Sequence, residues 1–65
     1  MTPEDKASQL LRRFTLDFTM DFDTSRQASI IAVEEIIESL KLVKSTTALA
    51  FVYWYTAVKK ELENL

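Results

Sequence analysis

The sequence predicts an all-α protein with a short N-terminal helix, an extended connection and an antiparallel helical hairpin that self-associates. Two observations favour this fold class. Apolar side chains recur at helical spacing along most of the 65-residue chain. Only one segment, FTLDFTMDFDT, alternates apolar with polar residues as a strand does, and no second segment is suited to pair with it. At this length we expect a single domain spanning residues 1–65.

The first helix is predicted over about residues 3 to 14. Thr2 is suited to cap it, Pro3 suits the first helical position, and the acidic pair Glu4-Asp5 complements the positive end of the helix dipole. The apolar residues that follow fall on one face: Ala7, Leu10, Leu11 and Phe14. We expect this face to pack on the rest of the domain.

Residues 15–23 are predicted to be an extended connection. The alternation favours a strap of apolar side chains that crosses the hairpin, with Asp17, Asp21 and Asp23 facing water. Two alternatives stay open. The segment is also suited to pair as a strand with its copy in another subunit, and the spacing of Phe14, Phe18 and Phe22 permits a helix. Threonine and aspartate disfavour the helix.

The same segment has the opening of a calcium-binding loop, because Asp21, Asp23 and Ser25 follow the Asp-x-Asp-x-Ser spacing. Arg26 occupies the position where the loop turn needs glycine, and Ala32 occupies that of the bidentate glutamate. We therefore expect no metal site.

The second helix is predicted over about residues 24 to 43, capped by Asp23 or Thr24 with Gln27 completing a capping box. One face carries most of its apolar residues together with Ser29, and Ile37 lies at the margin of this face. The residues of the face are Ser29, Ala32, Val33, Ile36, Leu40 and Val43. Ile31 and Leu42 lie on a second, minor apolar strip.

The third helix is predicted over about residues 46 to 64, capped by Ser45 or Thr46. It is apolar on two sides, one of which a three-helix monomer leaves uncovered. Together with the minor strip of the second helix, the uncovered side gives the residues predicted to form a subunit interface: Ile31, Leu42, Leu49, Val52 and Tyr53.

Composition excludes several classes of function. The chain has no Cys, His or Gly, so thiol and imidazole chemistry, zinc sites, P-loops and glycine-rich dinucleotide sites are ruled out. A net charge of −2 argues against binding to duplex nucleic acid. The polar N-terminus and the absence of a long uncharged apolar run predict no signal peptide, no membrane contact and a cytoplasmic location. So small a domain without disulfides or metal is typically stabilised by self-association.

Three blocks of the sequence resemble a group of small proteins encoded by phages and prophages. The blocks are TPEDKASQLLRRF, RQASIIAVEEIIESL and YWYTAVKKELENL, in that order. They match the patterns TPxxKAxxLxxxF, ALIAVxEII and YWxxVKxELxxL of that group. Where the group has Cys-Ala-Leu this chain has Ala28-Ser29-Ile30, so no thiol role carries over. The resemblance implies a phage or prophage origin and no particular activity.

Candidate binding residues are basic and aromatic. Arginine guanidinium groups suit phosphate, and aromatic rings suit stacking with a base. The predicted ligand-binding residues are Arg12, Arg13, Arg26, Tyr53 and Trp54. The acidic residues Glu34, Glu35 and Glu38 are interpreted as a solvated face, because no nucleophile or base accompanies them. No enzyme and no cofactor are expected.

Two functional hypotheses follow. The first is a non-enzymatic homo-oligomer that sequesters a nucleotide-type immune signal between subunits, as an anti-defence sponge. The second is a module that inhibits a host protein by docking its exposed apolar helix face, or a structural oligomer without ligand.

Overall fold

The computed structural model describes all 65 residues and contains three α-helices and no strand. Helix α1 runs over Pro3–Asp17, α2 over Phe22–Lys41 and α3 over Thr46–Glu63. The prediction of an all-helical chain is confirmed. Every pair of helices is in contact, and α2 packs most extensively on α3. Residues 42–45 join these two helices, an arrangement that fits a helical hairpin with α1 packed against both of its members.

Two of the helix starts form as the sequence predicts. The Asp5 N–H donates to Thr2 Oγ1 at 3.1 Å while the Thr2 N–H donates to Asp5 Oδ2 at 3.2 Å, a reciprocal capping box. The bond from the Thr2 backbone lowers the pKa of Asp5 below its ordinary value. At α3 the Ala48 N–H donates to Ser45 Oγ at 3.0 Å, so Ser45 is the cap.

The predicted extended connection over residues 15–23 is wrong. Helix α1 continues to Asp17 and α2 already begins at Phe22, so only residues 18–21 separate them. Asp21, rather than Asp23 or Thr24, caps α2, with its Oδ1 accepting from the Thr24 N–H at 2.7 Å. This bond lowers the pKa of Asp21. Residues 15–17 and 22–23 are therefore helical, whereas residues 18–21 form a connection, so neither an extended strap nor one continuous helix through Phe14, Phe18 and Phe22 is present.

Two contacts stabilise the helical conformation at the C-terminal end of α1. The Thr15 hydroxyl donates to the Leu11 carbonyl one turn earlier at 2.8 Å, which accommodates a β-branched polar residue inside α1. The rings of Phe14 and Phe18, four residues apart, have centroids 5.7 Å apart. A strand over these residues would separate those rings and leave its backbone without a partner.

The turn between α1 and α2 is made without glycine. Thr19 has a φ of 51°, in the left-handed region that costs a β-branched residue about 1–2 kcal/mol. Its hydroxyl donates to the Phe18 carbonyl at 2.7 Å, and the next residue, Met20, donates its N–H to the Phe14 carbonyl at 3.5 Å. These bonds hold the reversal that directs α2 back along α1.

The core is small and lies where the three helices meet. Its fully or nearly fully buried apolar members come from all three helices: Ala7, Val33, Ile37, Val58 and Leu62. Ser25 and Ser29 are also fully buried on α2. The Ser29 hydroxyl donates to the Ser25 carbonyl at 2.7 Å, and the hydroxyl oxygens of Ser25 and Thr15 lie 2.9 Å apart. No buried side-chain polar atom lacks a partner.

The third helix turns Phe51 away from the core. Helical spacing predicts one packed face of the third helix, formed by Phe51, Trp54, Tyr55, Val58, Leu62 and Leu65. Val58 and Leu62 are buried as predicted, whereas Phe51 and Leu65 are half-exposed and Ala48 is buried instead. Lys59 of α3 also pairs with Glu34 of α2, with Nζ and Oε2 3.2 Å apart.

Candidate aromatic groove

An open groove lies between the start of α1 and the first turns of α3. Its volume is about 480 Å³, within the range of ligand sites in proteins. It is lined mainly by apolar and aromatic side chains of the N-terminal segment and of α3. We call it the Trp54 groove, and its lining residues are Met1, Lys6, Thr47, Ala50, Phe51, Trp54 and Tyr55.

Phe51, Trp54 and Tyr55, which lie within about one turn of α3, supply the aromatic wall. Phe51 is 50 % exposed, while Trp54 and Tyr55 are half-buried and pack on the core through part of their surface. The rings of Trp54 and Tyr55 meet edge to face, with centroids 5.1 Å apart and planes at 88°. This contact fixes the indole, so the groove presents an aromatic surface that needs little reordering to accept a ligand.

Lys6 of α1 is the one charged side chain of the groove. It is half-buried, and its Nζ donates to the side-chain oxygen of Gln9 at 3.2 Å. Lysine side chains of this kind commonly cover apolar surface with the aliphatic stem and keep the ammonium group in contact with water. The site therefore combines aromatic rings with a positive charge.

The predicted arginines do not line the Trp54 groove. Arg12 and Arg13 lie on the exposed side of α1, in an open depression of about 490 Å³ that they share with Asp5 and Asp17. Arg13 Nε lies 3.6 Å from Asp17 Oδ2, with both side chains largely exposed. Arg26 is half-buried on α2 and lines no cavity. Within one copy of the chain, Trp54 and the arginines belong to separate surfaces.

Four of the five predicted interface residues are exposed, namely Ile31, Leu42, Leu49 and Tyr53. Val52 is half-buried and packs against the core. Tyr53, also a predicted ligand residue, is 69 % exposed and lies outside the groove that holds Trp54. Ile31 and Leu42 are separated on α2 by exposed glutamates, so they do not form one continuous apolar strip.

Among the groove residues only Trp54 was predicted to bind a ligand, and Lys6 is the charged residue that sequence reasoning missed. Lys6 lies outside the apolar face of α1. Periodicity within one helix does not reveal which neighbouring helix lies beside the polar residues at the edge of that face. The available signal was the spacing of Lys6 four residues before Leu10, which places its stem beside the packed face of α1.

Further features of the chain bear on its chemistry. No group of three or more Asp or Glu side chains is arranged to hold a metal ion. None of the helices combines the length and apolarity needed to cross a membrane. Comparison with protein-family models, curated proteins and solved structures finds no match to this chain.

Proposed function

We propose that this chain is a non-enzymatic, homo-oligomeric phage-type protein that sequesters a small nucleotide-type signal in the cytoplasm of an infected cell. The Trp54 groove takes the base of that ligand. The observation that carries the proposal is the pairing of a fixed aromatic wall with a single lysine in one open groove. The phage or prophage origin that the resemblance implies is the motivation for assigning the sequestration to anti-defence.

Aromatic walls of this kind suit flat rings. Stacking of a base on an aromatic side chain contributes about 1–3 kcal/mol and tolerates different bases. The 480 Å³ groove has the size of a site for one nucleotide unit. Phe51 and Trp54 would offer their rings for stacking from one wall of the groove, and Thr47 lines the same groove.

The positive charge of Lys6 favours an anionic ligand over a neutral one. Lys6 places an ammonium group beside the rings without a carboxylate partner, because its only side-chain hydrogen bond is to Gln9. A phosphate at the rim would gain a charge-assisted hydrogen bond from Lys6. Arg12, Arg13 and Arg26 join such a site only if a second copy supplies them.

Self-association is part of the proposal because a single copy buries few of its residues. Only 8 of the 65 residues are buried, and eleven large apolar side chains are exposed. The accessible area of 4688 Å² exceeds the roughly 4,200 Å² expected of a compact 7.5 kDa monomer. Burying those side chains against another copy supplies stabilisation that the small core lacks.

A fluorescence titration tests ligand binding directly, because Trp54 is the only tryptophan. Cyclic di-AMP, cyclic di-GMP and ADP-ribose are suitable probes of this ligand class. We expect at least one to quench or shift Trp54 emission in a saturable manner. An unchanged spectrum with all three, together with no heat of binding by calorimetry, would contradict the proposal.

Two variants locate the site. Lys6→Gln removes the charge and is expected to weaken binding about tenfold or more, the loss of one charge-assisted hydrogen bond. Lys60→Gln is the matched control, because Lys60 is an exposed lysine of α3 outside the groove and should bind as the wild type does. Equal binding by both variants would place the ligand elsewhere.

A second candidate function is docking on a host protein through exposed apolar side chains. Leu42, 85 % exposed at the end of α2, is the observation that favours it. Leu42→Lys would then abolish capture of the host protein and leave nucleotide binding unchanged, whereas Lys6→Gln would do the reverse. A pull-down with both variants from infected cells separates the two functions.

A further inference from the structure

The two connections between helices differ in charge, and both are flanked by exposed apolar side chains. Residues 16–23 contain three aspartates and no basic residue. Their apolar members Leu16, Phe18 and Phe22 are 65 %, 59 % and 49 % exposed. We call this region the acidic end.

The region around the α2–α3 connection has the opposite character. Residues 41–49 contain Lys41 and Lys44 and no acidic residue. Here Leu42, Val43 and Leu49 are 85 %, 55 % and 52 % exposed. We call this region the basic end.

The acidic and basic ends lie far apart in the molecule. They flank the 20-residue helix α2, which at 1.5 Å per residue is about 30 Å long. The longest dimension of the whole molecule is 37 Å. The two ends of one copy therefore cannot meet, and each presents its apolar side chains to solvent.

The basic end also contains a groove that suits the acidic end. It has a volume of about 320 Å³, and its walls are apolar side chains of α2 and α3 with two lysines beside them: Leu40, Lys41, Val43, Lys44, Ser45, Leu49 and Val52. A phenylalanine ring is rigid and buries a large apolar area on insertion. Phe18 and Phe22 are such rings, and Asp17, Asp21 and Asp23 lie close to them in the chain.

We propose that copies of this chain associate head to tail, the acidic end of one copy docking on the basic end of the next. Phe18 or Phe22 fills the groove beside Val43 and Leu49, and the aspartates approach Lys41 and Lys44. A second copy is the occupant because it carries the matching charges and rings. Contact between two basic ends would instead bring Lys41 and Lys44 of one copy against the same lysines of the other.

Local ion pairs do not remove this complementarity. Arg13 lies 3.6 Å from Asp17 at the acidic end, and Glu38 lies 3.6 Å from Lys41 at the basic end. All four side chains are more than half exposed, so each pair contributes little and exchanges partners readily. Asp21, Asp23 and Lys44 take part in no ion pair.

This arrangement has a consequence for the proposed ligand site. The Trp54 groove is lined by Met1 and Thr47, at the start of α1 and α3, so it lies toward the basic end. Arg13 and Arg26 lie toward the acidic end, in the last turns of α1 and the second turn of α2. Head-to-tail docking brings the arginines of one copy toward the groove of the next. The inference deepens the proposed self-association and rests on it. A heterologous contact of this kind closes into a ring or extends as a filament.

Charge exchange tests the inference, with mass measured by sedimentation velocity at low salt. One variant carries Lys41→Glu and Lys44→Glu, the other Asp17→Lys and Asp23→Lys, and Asp21 is kept because it caps α2. We expect each variant alone to be monomeric under conditions where the wild type is assembled. An equimolar mixture should reassemble, because every acidic end then has a basic end to meet.

Two further variants control for fold and surface charge. Glu35→Lys changes an exposed residue in the middle of α2, and should assemble as the wild type does. Phe18→Ala is expected to raise the dissociation concentration about tenfold or more through lost apolar burial. Circular dichroism confirms that each variant is helical before its mass is interpreted.

The outcomes separate this inference from the proposed function. If the charge variants assemble alone, or the mixture stays monomeric, head-to-tail docking is overturned while nucleotide binding and another mode of self-association still stand. If the wild type is monomeric at every concentration, the inference and the proposed oligomer both fail. Assembly as expected without any response to the nucleotide probes overturns the ligand proposal alone.

Discussion

At the residue scale, the contact between α1 and α2 depends on small hydroxyl-bearing side chains. Ser25 and Ser29 are fully buried, and the Ser25 hydroxyl oxygen lies 2.9 Å from that of Thr15. The position of Ser29 on the packed face of α2 was predictable from helical spacing. The burial of Ser25 was not predictable. The predicted second helix began only one residue before it, and the predicted strap did not indicate which side of that helix end would be covered.

The buried serines lead to a prediction about packing. Ser29→Leu is expected to lower the free energy of unfolding by about 1–3 kcal/mol, because the added carbons have no room between α1 and α2. Ser39→Leu is the matched control on the exposed side of the same helix and should change stability by less than about 0.5 kcal/mol. Urea denaturation of both variants measures the difference. Equal losses would show that Ser29 is not enclosed.

The cap of α2 gives a prediction about pH. The bond from the Thr24 backbone holds the pKa of Asp21 below its ordinary value of 3.8. A lowered pKa stabilises the fold above the unfolded-state pKa, and this stabilisation disappears as the pH falls through the folded-state value. We therefore expect wild-type stability to decline below about pH 4.

Two substitutions of Asp21 measure how much the cap of α2 contributes to the loss of stability at low pH. Asp21→Asn retains an acceptor for the Thr24 N–H at every pH and should weaken the acid dependence. Asp21→Ala removes the acceptor and should be less stable than either at neutral pH. Denaturation series at several pH values measure all three proteins. An alanine variant as stable as the wild type at pH 7 would show that Asp21 does not cap the helix.

At the scale of the helices, the sequence predicts well which segments are helical. It predicts less well where α1 ends and α2 begins. Thr2 and Ser45 were predicted as caps and are caps, because each directly precedes an unambiguous helical pattern. The start of α2 was misplaced because Leu16, Phe18, Met20 and Phe22 fit a strand pattern as well as a helical one. Contacts with the neighbouring helix decide between the two patterns, and a single segment does not contain that information.

The turn between α1 and α2 supports a prediction of its own. Thr19→Gly is expected to raise the free energy of unfolding by about 0.5–1 kcal/mol, because glycine relieves the left-handed strain at some cost in unfolded-state entropy. Thr46→Gly, inside the first turn of α3, should instead destabilise the protein by about 0.5–1 kcal/mol. Thermal and urea unfolding of the two variants checks the opposite signs. Destabilisation by both would show that Thr19 is not strained.

At the scale of the whole molecule, the sequence predicted an excess of apolar surface, and the structure locates it. Both ends of the 37 Å long molecule carry exposed apolar side chains. Trp54 was predicted as a binding residue, but Lys6 was not, since the packing of α1 beside α3 is a property of the tertiary structure. For the same reason the separation of Trp54 from the arginines became visible only in three dimensions.

Self-association predicts that stability depends on protein concentration. Because association stabilises the folded state by mass action, the thermal midpoint of the wild type should rise steadily over a hundredfold increase in concentration. The variant with Lys41→Glu and Lys44→Glu should show no such rise. Differential scanning fluorimetry with an external dye measures both, and a wild-type midpoint independent of concentration would indicate a monomer.

Native mass spectrometry of the protein purified from phage-challenged cells is the most direct test of a ligand-sequestering oligomer. We expect a homo-oligomer that carries a few hundred daltons of additional mass per site, and this mass should be lost in Lys6→Gln but retained in Lys60→Gln. An oligomer or monomer at the mass of the polypeptide alone, from cells in which nucleotide signals are being made, would contradict the proposed function.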